Sequence, residues 1–348
     1  MKNTDNTYMQ RCLQLALKGR ATVKPNPMVG SVIVYNNISI GEGYHREYGK
    51  AHAEVNAINS VKDTSLLSKS TLYVNLEPCA HHGKTPPCSD LIIEKKIKKV
   101  VIGCIDSFAE VSGKGIAKMR KAGIEVLVGI LEQESLEINR AFFTFHSKKR
   151  PFIILKWAQT IDGFIDINRK ETDAVAVNWI THPQMRLPVH KWRSEEDAIL
   201  IGNGTLINDN PQLDTREWFG KNPLRVLLSD KNKLNKSYKI FDDSTPTVVF
   251  SMSENENTKN TEFIKLDKDS DSIKQVLSYL FKRDIQTIII EGGRDTIQRF
   301  IDRNIWDEAK VLIGDKTFGD GLKAPHINCK HQQSFRIVND TIIYYKNK

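Results

Sequence analysis

The sequence predicts an α/β protein built as two layered domains, and three observations carry that prediction. The chain has 348 residues, which at roughly 150 residues per domain gives two. Strand-sized apolar runs alternate with helical periodicities along most of it, the pattern of helices packed on a sheet. The alternation breaks once, at Phe145–Pro151, where His146-Ser147-Lys148-Lys149-Arg150 is polar and Pro151 restricts the backbone, and then it restarts.

Each element follows from local pattern. Tyr8, Cys12, Leu15 and Ala16 share one face at 3.6-residue spacing, with Thr4 or Asp5 to cap the start and Gly19 to end it, so the chain opens on a helix. Val29–Val34 and Ile38–Gly43 read as a strand pair turning at Asn36-Asn37, and Ala51–Val61 reads as a helix with Val55 and Ile58 on one side. Thr71–Leu76 is a strand, Pro87–Lys96 a helix, Val100–Ile105 a strand, Gly113–Ala122 a helix and Ile124–Val128 a strand. In the second half the strands are Phe152–Trp157, Ala198–Ile201, Arg225–Leu228, Thr247–Phe250, Thr287–Glu291, Lys310–Ile313 and Ile342–Tyr345. Asp271–Arg283 carries the clearest helical stripe, through Ile273, Val276, Leu277, Leu280 and Phe281, and Arg294–Arg303 is a second helix. Asp230–Ser237 and Ser253–Asn260 are polar and read as loops. There is no internal repeat and no low-complexity tract.

Composition removes several classes. A chain of this size buries about three quarters of its unfolded surface and needs no disulfide staple. Apolar runs such as Thr287–Ile290 and Ile199–Ile201 fall far short of the roughly 18 residues a membrane span requires. The start, Met1-Lys2-Asn3-Thr4-Asp5, leads into a polar helix with no apolar signal core, so the expected compartment is the cytoplasm. Five cysteines at 12, 79, 88, 104 and 329 form an odd set without framework spacing, which fits reducing surroundings. Lys plus Arg total 51 against 42 Asp plus Glu, a net charge of +9. Such a balance suits nucleic acid, anionic lipid or a phosphorylated small molecule. The lysines are scattered, and the short clusters at Lys95–Lys99 and Lys148–Arg150 read as solvated faces.

The strongest chemical signal is His52-Ala53-Glu54, followed by Pro78-Cys79 and then Cys88. One imidazole and two thiolates make a three-ligand zinc site with its fourth position open to water, whose pKa zinc lowers towards neutrality. Glu54 stands two residues from the histidine, turned from the metal yet able to shuttle protons if the helix begins inside a pocket. His-x-Glu followed by Pro-Cys and a second Cys is the zinc-deaminase arrangement. Eight residues separate Cys79 from Cys88, against two in the nucleobase deaminases, so Ala80–Pro87 forms a rim loop able to touch substrate. Two other readings compete. A closed structural zinc would recruit His81 or His82 as a fourth ligand. A nucleic-acid deaminase would need basic and aromatic residues along a strand groove, where the rim loop offers only Lys84.

In the second half, Glu291-Gly292-Gly293 sits between a strand and a helix, and Gly202-Asn203-Gly204-Thr205 forms a similar turn in which Thr205 is a candidate cap. Either turn can bring a phosphate to a helix N-terminus. No GxGxxG run with a downstream acid appears, which argues against an ordinary Rossmann site.

Pro25-Asn26-Pro27-Met28-Val29-Gly30, Gly43-Tyr44-His45, His52-Ala53-Glu54 and Leu76–Cys88 with its long Cys–Cys loop resemble the bifunctional riboflavin-biosynthesis deaminase–reductases. The resemblance continues through Lys156–Gly163, Trp179-Ile180-Thr181, Arg193, the 202–205 turn, Asp209-Asn210-Pro211 and Glu291-Gly292-Gly293, and so covers nearly the whole chain. It implies a cytidine-deaminase-like three-layer domain over residues 1–146 and a dihydrofolate-reductase-like domain over 151–348. The first would be a zinc-dependent pyrimidine deaminase acting on a diaminopyrimidinone ribosylamino phosphate, and the second an NADPH-dependent reductase turning the ribosyl into a ribityl chain. By this resemblance His52, Cys79 and Cys88 would hold zinc and Glu54 would move protons. Asn26, His45, Lys84, Arg193, Leu213, Arg216 and Glu291 would bind substrate, the two arginines through its phosphate. Ala158, Trp179, Thr205, Asp209 and Gly293 would border NADPH. A homo-oligomer without nucleic-acid or membrane partners is the expected assembly. Two departures stand out: Phe108 replaces the amide side chain usual in the Asp-Pro-Asn-Pro run, and Arg169–Val177 is longer than usual before Trp179.

Overall fold

The computed structural model of the chain describes residues 2–80, 86–106, 113–170, 175, 177–229, 234–254 and 256–347. The chain separates into two compact units, Met1–Lys149 and Arg150–Lys348.

In the first unit, helix α1 (Lys2–Leu17) precedes strands β1 (Gly30–Tyr35) and β2 (Ile38–Tyr44). Asn36 and Asn37 both take positive φ, 48° and 62°, the left-handed turn that matches strand twist in a two-residue hairpin. Then come α2 (Ala53–Asn59), β3 (Thr71–Leu76), α3 (Cys88–Glu94), β4 (Lys99–Cys104), α4 (Lys114–Lys121) and β5 (Glu125–Val128). Two further helices, α5 (Glu132–Ile138) and α6 (Arg140–Lys148), close the unit. The sheet order is β2-β1-β3-β4-β5, with β1 antiparallel to both neighbours and β3, β4 and β5 parallel. One core cluster gathers Ile33, Ala57, Leu72, Val74, Ile92 and Ile102 with their neighbours, and a second brings Met9, Cys12 and Leu15 of α1 onto Val32, Tyr73 and Val101. These are the two faces of one sheet covered by helices.

Gly43 sets the distance of α2 from β2. A Cβ there would lie 2.3 Å from the backbone N of Ala57, so only glycine lets the helix rest on the strand. That contact fixes where α2 begins, and α2 begins at the site.

The second unit contains β6 (Phe152–Thr160), β7 (Phe164–Asp166), α7 (Arg186–Glu195), β8 (Ala198–Gly202) and α8 (Asn203–Asp209). It continues with β9 (Leu224–Leu228), β10 (Thr247–Ser251), β11 (Thr261–Lys265), α9 (Ser272–Lys282), β12 (Thr287–Gly292) and α10 (Arg294–Asp302). β13 (Glu308–Gly314), β14 (Leu322–Lys323), β15 (Gln333–Ile337) and β16 (Asp340–Lys346) complete it. Among the described residues, nine strands form the main sheet in the order β11-β10-β9-β8-β12-β6-β13-β16-β15. Strands β11 through β13 run parallel, and β16 and β15 extend the sheet antiparallel. Fully buried Ile288, Ile289 and Ile290 of central β12 show the continuous apolar run of a strand covered on both faces. The stripe on α9 packs as its spacing predicts, with Ile273, Val276, Leu277 and Leu280 buried and the Asp271 side chain accepting from the N–H groups of Ile273 and Lys274.

Three expectations change here. Helix α1 already starts at Lys2, so Thr4 and Asp5 lie inside it rather than capping it. Helix α6 continues through His146-Ser147-Lys148, where the polar run predicts a break; the turn falls at Lys149, whose φ is 53°. Thr205 does not cap the helix after β8, because that helix starts at Asn203 with Gly202 as its N-cap, which places Thr205 inside it.

Candidate functional site

In the first unit the site assembles where two helices start beside the end of β3. His52 is the N-cap residue of α2, and Cys88 opens α3. Cys79 follows Pro78, just past β3. The ligand atoms of His52, Cys79 and Cys88 all lie within 4.8 Å of one another. His52 Nδ1 is 3.6 Å from Cys79 Sγ and 3.3 Å from Cys88 Sγ. Tetrahedral bonds of about 2.0 Å to nitrogen and 2.3 Å to sulfur put such atoms about 3.6 Å apart, so the donor set fits zinc. Cys88 donates its backbone N–H to Cys79 Sγ at 3.3 Å. The side-chain hydrogen bond from the Cys88 thiol, opposed by burial and helped by His52, holds the Cys79 thiol below its ordinary value, so Cys79 is the sulfur of the pair that gives up its proton more readily.

Glu54, in the first turn of α2, is buried, as is Cys88, while His52 and Cys79 are partly exposed. Burial pushes its carboxyl up to about 7, with His52 pulling it back and Cys79 adding to the rise. A carboxyl near neutrality both takes and gives protons.

His45 and Asn26 stand beside this centre. The His45 and His52 rings meet edge to face at 5.2 Å. His45 Nδ1 lies 3.1 Å from the carbonyl of Ala51, and its Nε2 lies 3.0 Å from Asn26 Nδ2. A carbonyl can only accept, so Nδ1 bears the proton and Nε2 accepts from the amide. Burial lowers the His45 pKa, which keeps the ring neutral. Asn139 holds Met28, two residues beyond Asn26, by accepting from its backbone N–H and donating to its carbonyl, and Asn75 donates to the same carbonyl. The sequence does not reveal these two asparagines as supports, since their partner is distant along the chain. Lys84, Phe108, His81 and His82 lie outside the described residues.

The second unit has a pocket of about 390 Å³ at the C-terminal ends of its parallel strands. Ala158, Trp179, Thr205, Asp209 and Gly293 border it, and so do Arg193, Leu213, Arg216 and Glu291. Glu291 lies at the end of β12 and is almost wholly buried. Arg193 of α7 grips it with two hydrogen bonds, Nε to Oε1 at 2.8 Å and a terminal nitrogen to Oε2 at 2.7 Å. Lys156 Nζ of β6 reaches Oε2 at 3.4 Å. Burial pushes the Glu291 carboxyl up, but Arg193 and then Lys156 override it and hold it at about 2. Lys156 itself is lowered, because burial and the repulsion of Arg193 outweigh its attraction to Glu291. The bidentate arginine is therefore the main partner. The sequence does not single out Lys156, although it heads the Lys156–Gly163 run.

Arg193 also donates to the carbonyl of Asp214, and Arg216 pairs with the Asp214 carboxylate. Trp179 is half-exposed at the mouth with the Arg186 guanidinium 4.1 Å over its ring. Asp209 is pushed up to about 6 by burial and by Asp166, against the pull of Arg169 and Lys156. Of the long segment before Trp179, positions 171–174 and 176 lie outside the described residues. Among the described residues, no helix is long and apolar enough to cross a membrane.

Two family models match. Residues 2–104 match the cytidine and deoxycytidylate deaminase zinc-binding region, and residues 151–343 match the RibD C-terminal domain. A riboflavin biosynthesis protein RibD from Aquifex aeolicus is 38% identical, with 99% of each chain covered. The protein of the same name from Bacillus amyloliquefaciens is 36% identical over 88% of this chain and 85% of its own. Among solved structures, a diaminohydroxyphosphoribosylaminopyrimidine deaminase/5-amino-6-(5-phosphoribosylamino)uracil reductase from Thermotoga maritima is similar at TM-score 0.88 and 38% identity. It covers 100% of this chain and 99% of its own. The Acinetobacter baumannii RibD gives a TM-score of 0.87 at 29% identity, with both chains covered in full.

Proposed function

The chain belongs to the family of bifunctional riboflavin-biosynthesis deaminase–reductases, and from that premise we propose the division of labour between its two units. The first deaminates 2,5-diamino-6-(5-phosphoribosylamino)pyrimidin-4-one to the uracil. The second reduces the ribosyl group of that product to ribityl with NADPH. The observation that carries the reading is the convergence of His52, Cys79 and Cys88 beside buried Glu54.

In the deaminase unit His52, Cys79 and Cys88 would hold zinc, which as a Lewis acid makes water nucleophilic near neutral pH. Glu54 takes the proton that the attacking water loses and delivers it to the departing amine, which leaves as ammonia. Asn26 and His45 face the pyrimidine. His45 is fixed as the Nδ1–H tautomer, so Asn26 Nδ2 and His45 Nε2 occupy one another and leave the Asn26 carbonyl for an amino group of the base. Lys84, between Cys79 and Cys88 in the sequence, carries the charge that suits the phosphoribosyl group.

In the reductase unit NADPH, when bound, supplies hydride to the former anomeric carbon of the opened sugar. Ala158, Trp179, Thr205, Asp209 and Gly293 border its place, and Arg169 and Arg294 line an adjoining cavity of about 210 Å³ as cations for its phosphates. Lys156 and Arg193 keep Glu291 ionised, so it accepts hydrogen bonds from sugar hydroxyls. Leu213 packs against the substrate. Arg216 offers a guanidinium fork to the substrate phosphate, with Arg193 behind it. The enzyme works in the cytoplasm as a homo-oligomer; a single monomeric species in analytical ultracentrifugation contradicts the oligomer.

Chelation separates the two activities. Enzyme stripped of metal should lose ammonia release yet still oxidise NADPH with the aminouracil ribosylamino phosphate, and zinc should restore the first. Loss of neither activity, or of both together, refutes the assignment.

A further inference from the structure

Glu77 ends in an unusual environment. It sits between β3 and Pro78, is 4% exposed, and among the described residues its carboxylate is bound by main-chain N–H groups alone. Oε2 accepts from Gly113 at 2.9 Å and from Asp106 at 3.4 Å. Oε1 accepts from Gly115 at 3.0 Å and from Ile116 at 3.3 Å. Its own N–H donates to the carbonyl of Cys104 at 3.0 Å. Gly113 is the N-cap of α4 and Gly115 and Ile116 lie in its first turn, so the carboxylate satisfies three of that helix's otherwise unpaired donors and meets its positive end.

We propose that Glu77 is a positioning residue of the zinc centre, fastening the Glu77-Pro78-Cys79 turn to the end of β4 and the start of α4 so that Cys79 Sγ is held at ligand distance. The turn is clamped from both sides. On one side α3 binds Cys79, through Ser89 N–H to its carbonyl at 3.1 Å and Cys88 N–H to its sulfur at 3.3 Å. On the other side α4 lies directly on Pro78, where a Cβ at Gly115 would come within 2.1 Å of the Pro78 carbonyl oxygen. Pro78 has no N–H with which to anchor itself, so the anchor on that side is the Glu77 side chain. An apolar residue of the same length would pack but would strand buried donors.

This inference rests on reading His52, Cys79 and Cys88 as zinc ligands, and the test keeps the two apart. Cobalt(II) bound to the wild-type full chain should show intense thiolate-to-cobalt absorption; its absence overturns the ligand reading itself. In Glu77→Gln one carboxylate oxygen becomes an amide donor facing N–H donors. Zinc affinity, read by competition with a chromophoric chelator, should fall about 10–100-fold, the usual effect of losing an outer-shell support. The cobalt spectrum should shift, and at saturating zinc the deaminase kcat should drop with KM little changed. Glu77→Asp keeps the charge but shortens the reach, and should fall between wild type and Glu77→Gln; it decides the matter if the glutamine variant does not fold. A lower melting temperature with wild-type zinc affinity and cobalt spectrum in the folded variants overturns the proposal.

Discussion

Replacing Glu291 by Gln should destabilise the second unit far more than a surface substitution would, and the structure supplies the size of the effect. The carboxylate receives two hydrogen bonds from Arg193, at 2.8 and 2.7 Å, and one from Lys156 at 3.4 Å. Its folded pKa of about 2 lies some 2.5 units under an ordinary glutamate. At 1.36 kcal/mol per unit, that is roughly 3 kcal/mol of favourable interaction with the charged form. Breaking a buried pair by removing one partner costs about 3–5 kcal/mol, which agrees. For a unit of this size 1 kcal/mol moves Tm by about 2–4 °C, so the variant should melt about 6–20 °C lower. All five tryptophans, at 157, 179, 192, 218 and 306, belong to the second unit, so tryptophan fluorescence follows its unfolding. The folded carboxyl titrates below the unfolded one, so its contribution is complete above the unfolded value and is lost as pH falls towards about 2. The gap between wild type and variant should therefore be constant near neutrality and narrow below about pH 4.5. A gap under about 2 °C at pH 7, or one that does not narrow in acid, refutes the reasoning.

Two other substitutions give separable outcomes. Glu54→Gln leaves all three ligands in place, so metal analysis should find zinc unchanged while ammonia release falls about 10²–10⁴-fold and the reductase rate stays the same; full deaminase activity removes Glu54 from its role. Asp271→Ala deletes the cap that accepts from Ile273 N–H at 2.8 Å and Lys274 N–H at 3.4 Å. It should cost about 1 kcal/mol, or 2–4 °C on the tryptophan signal, with both activities retained.

Where the sequence predicts well, a strong local signal agrees with the tertiary environment. β3 spans Thr71–Leu76 as its run of apolar residues predicts, and α9 begins after the Asp271 cap with its stripe buried. The elements it does not show lack such signals. α7 carries Pro188 in its first turn and buries only Val189, His190 and Trp192. α5 buries only Ser135, so no apolar face announces it. α6 is rich in aromatics, which suit strands as readily as helices. β15 is an exposed edge without alternation, held by its pairing to β16. At the sites the ligand spacing and the Glu-Gly-Gly turn are visible in the sequence. The supports are not: Glu77 binds residues 29 to 39 positions away, and Lys156 meets Glu291 across 135. Such pairings exist only once the strands are in register.

The most direct measurement of the central claim is mass spectrometry of the products formed from the diaminopyrimidinone ribosylamino phosphate by zinc-loaded enzyme and NADPH. Two successive activities on one chain predict a product that has exchanged an amine for oxygen and gained two hydrogens, and, when NADPH is withheld, the unreduced uracil that has exchanged the amine for oxygen without gaining hydrogens. Unreacted substrate, or a reduced product that keeps its amine, would contradict the account.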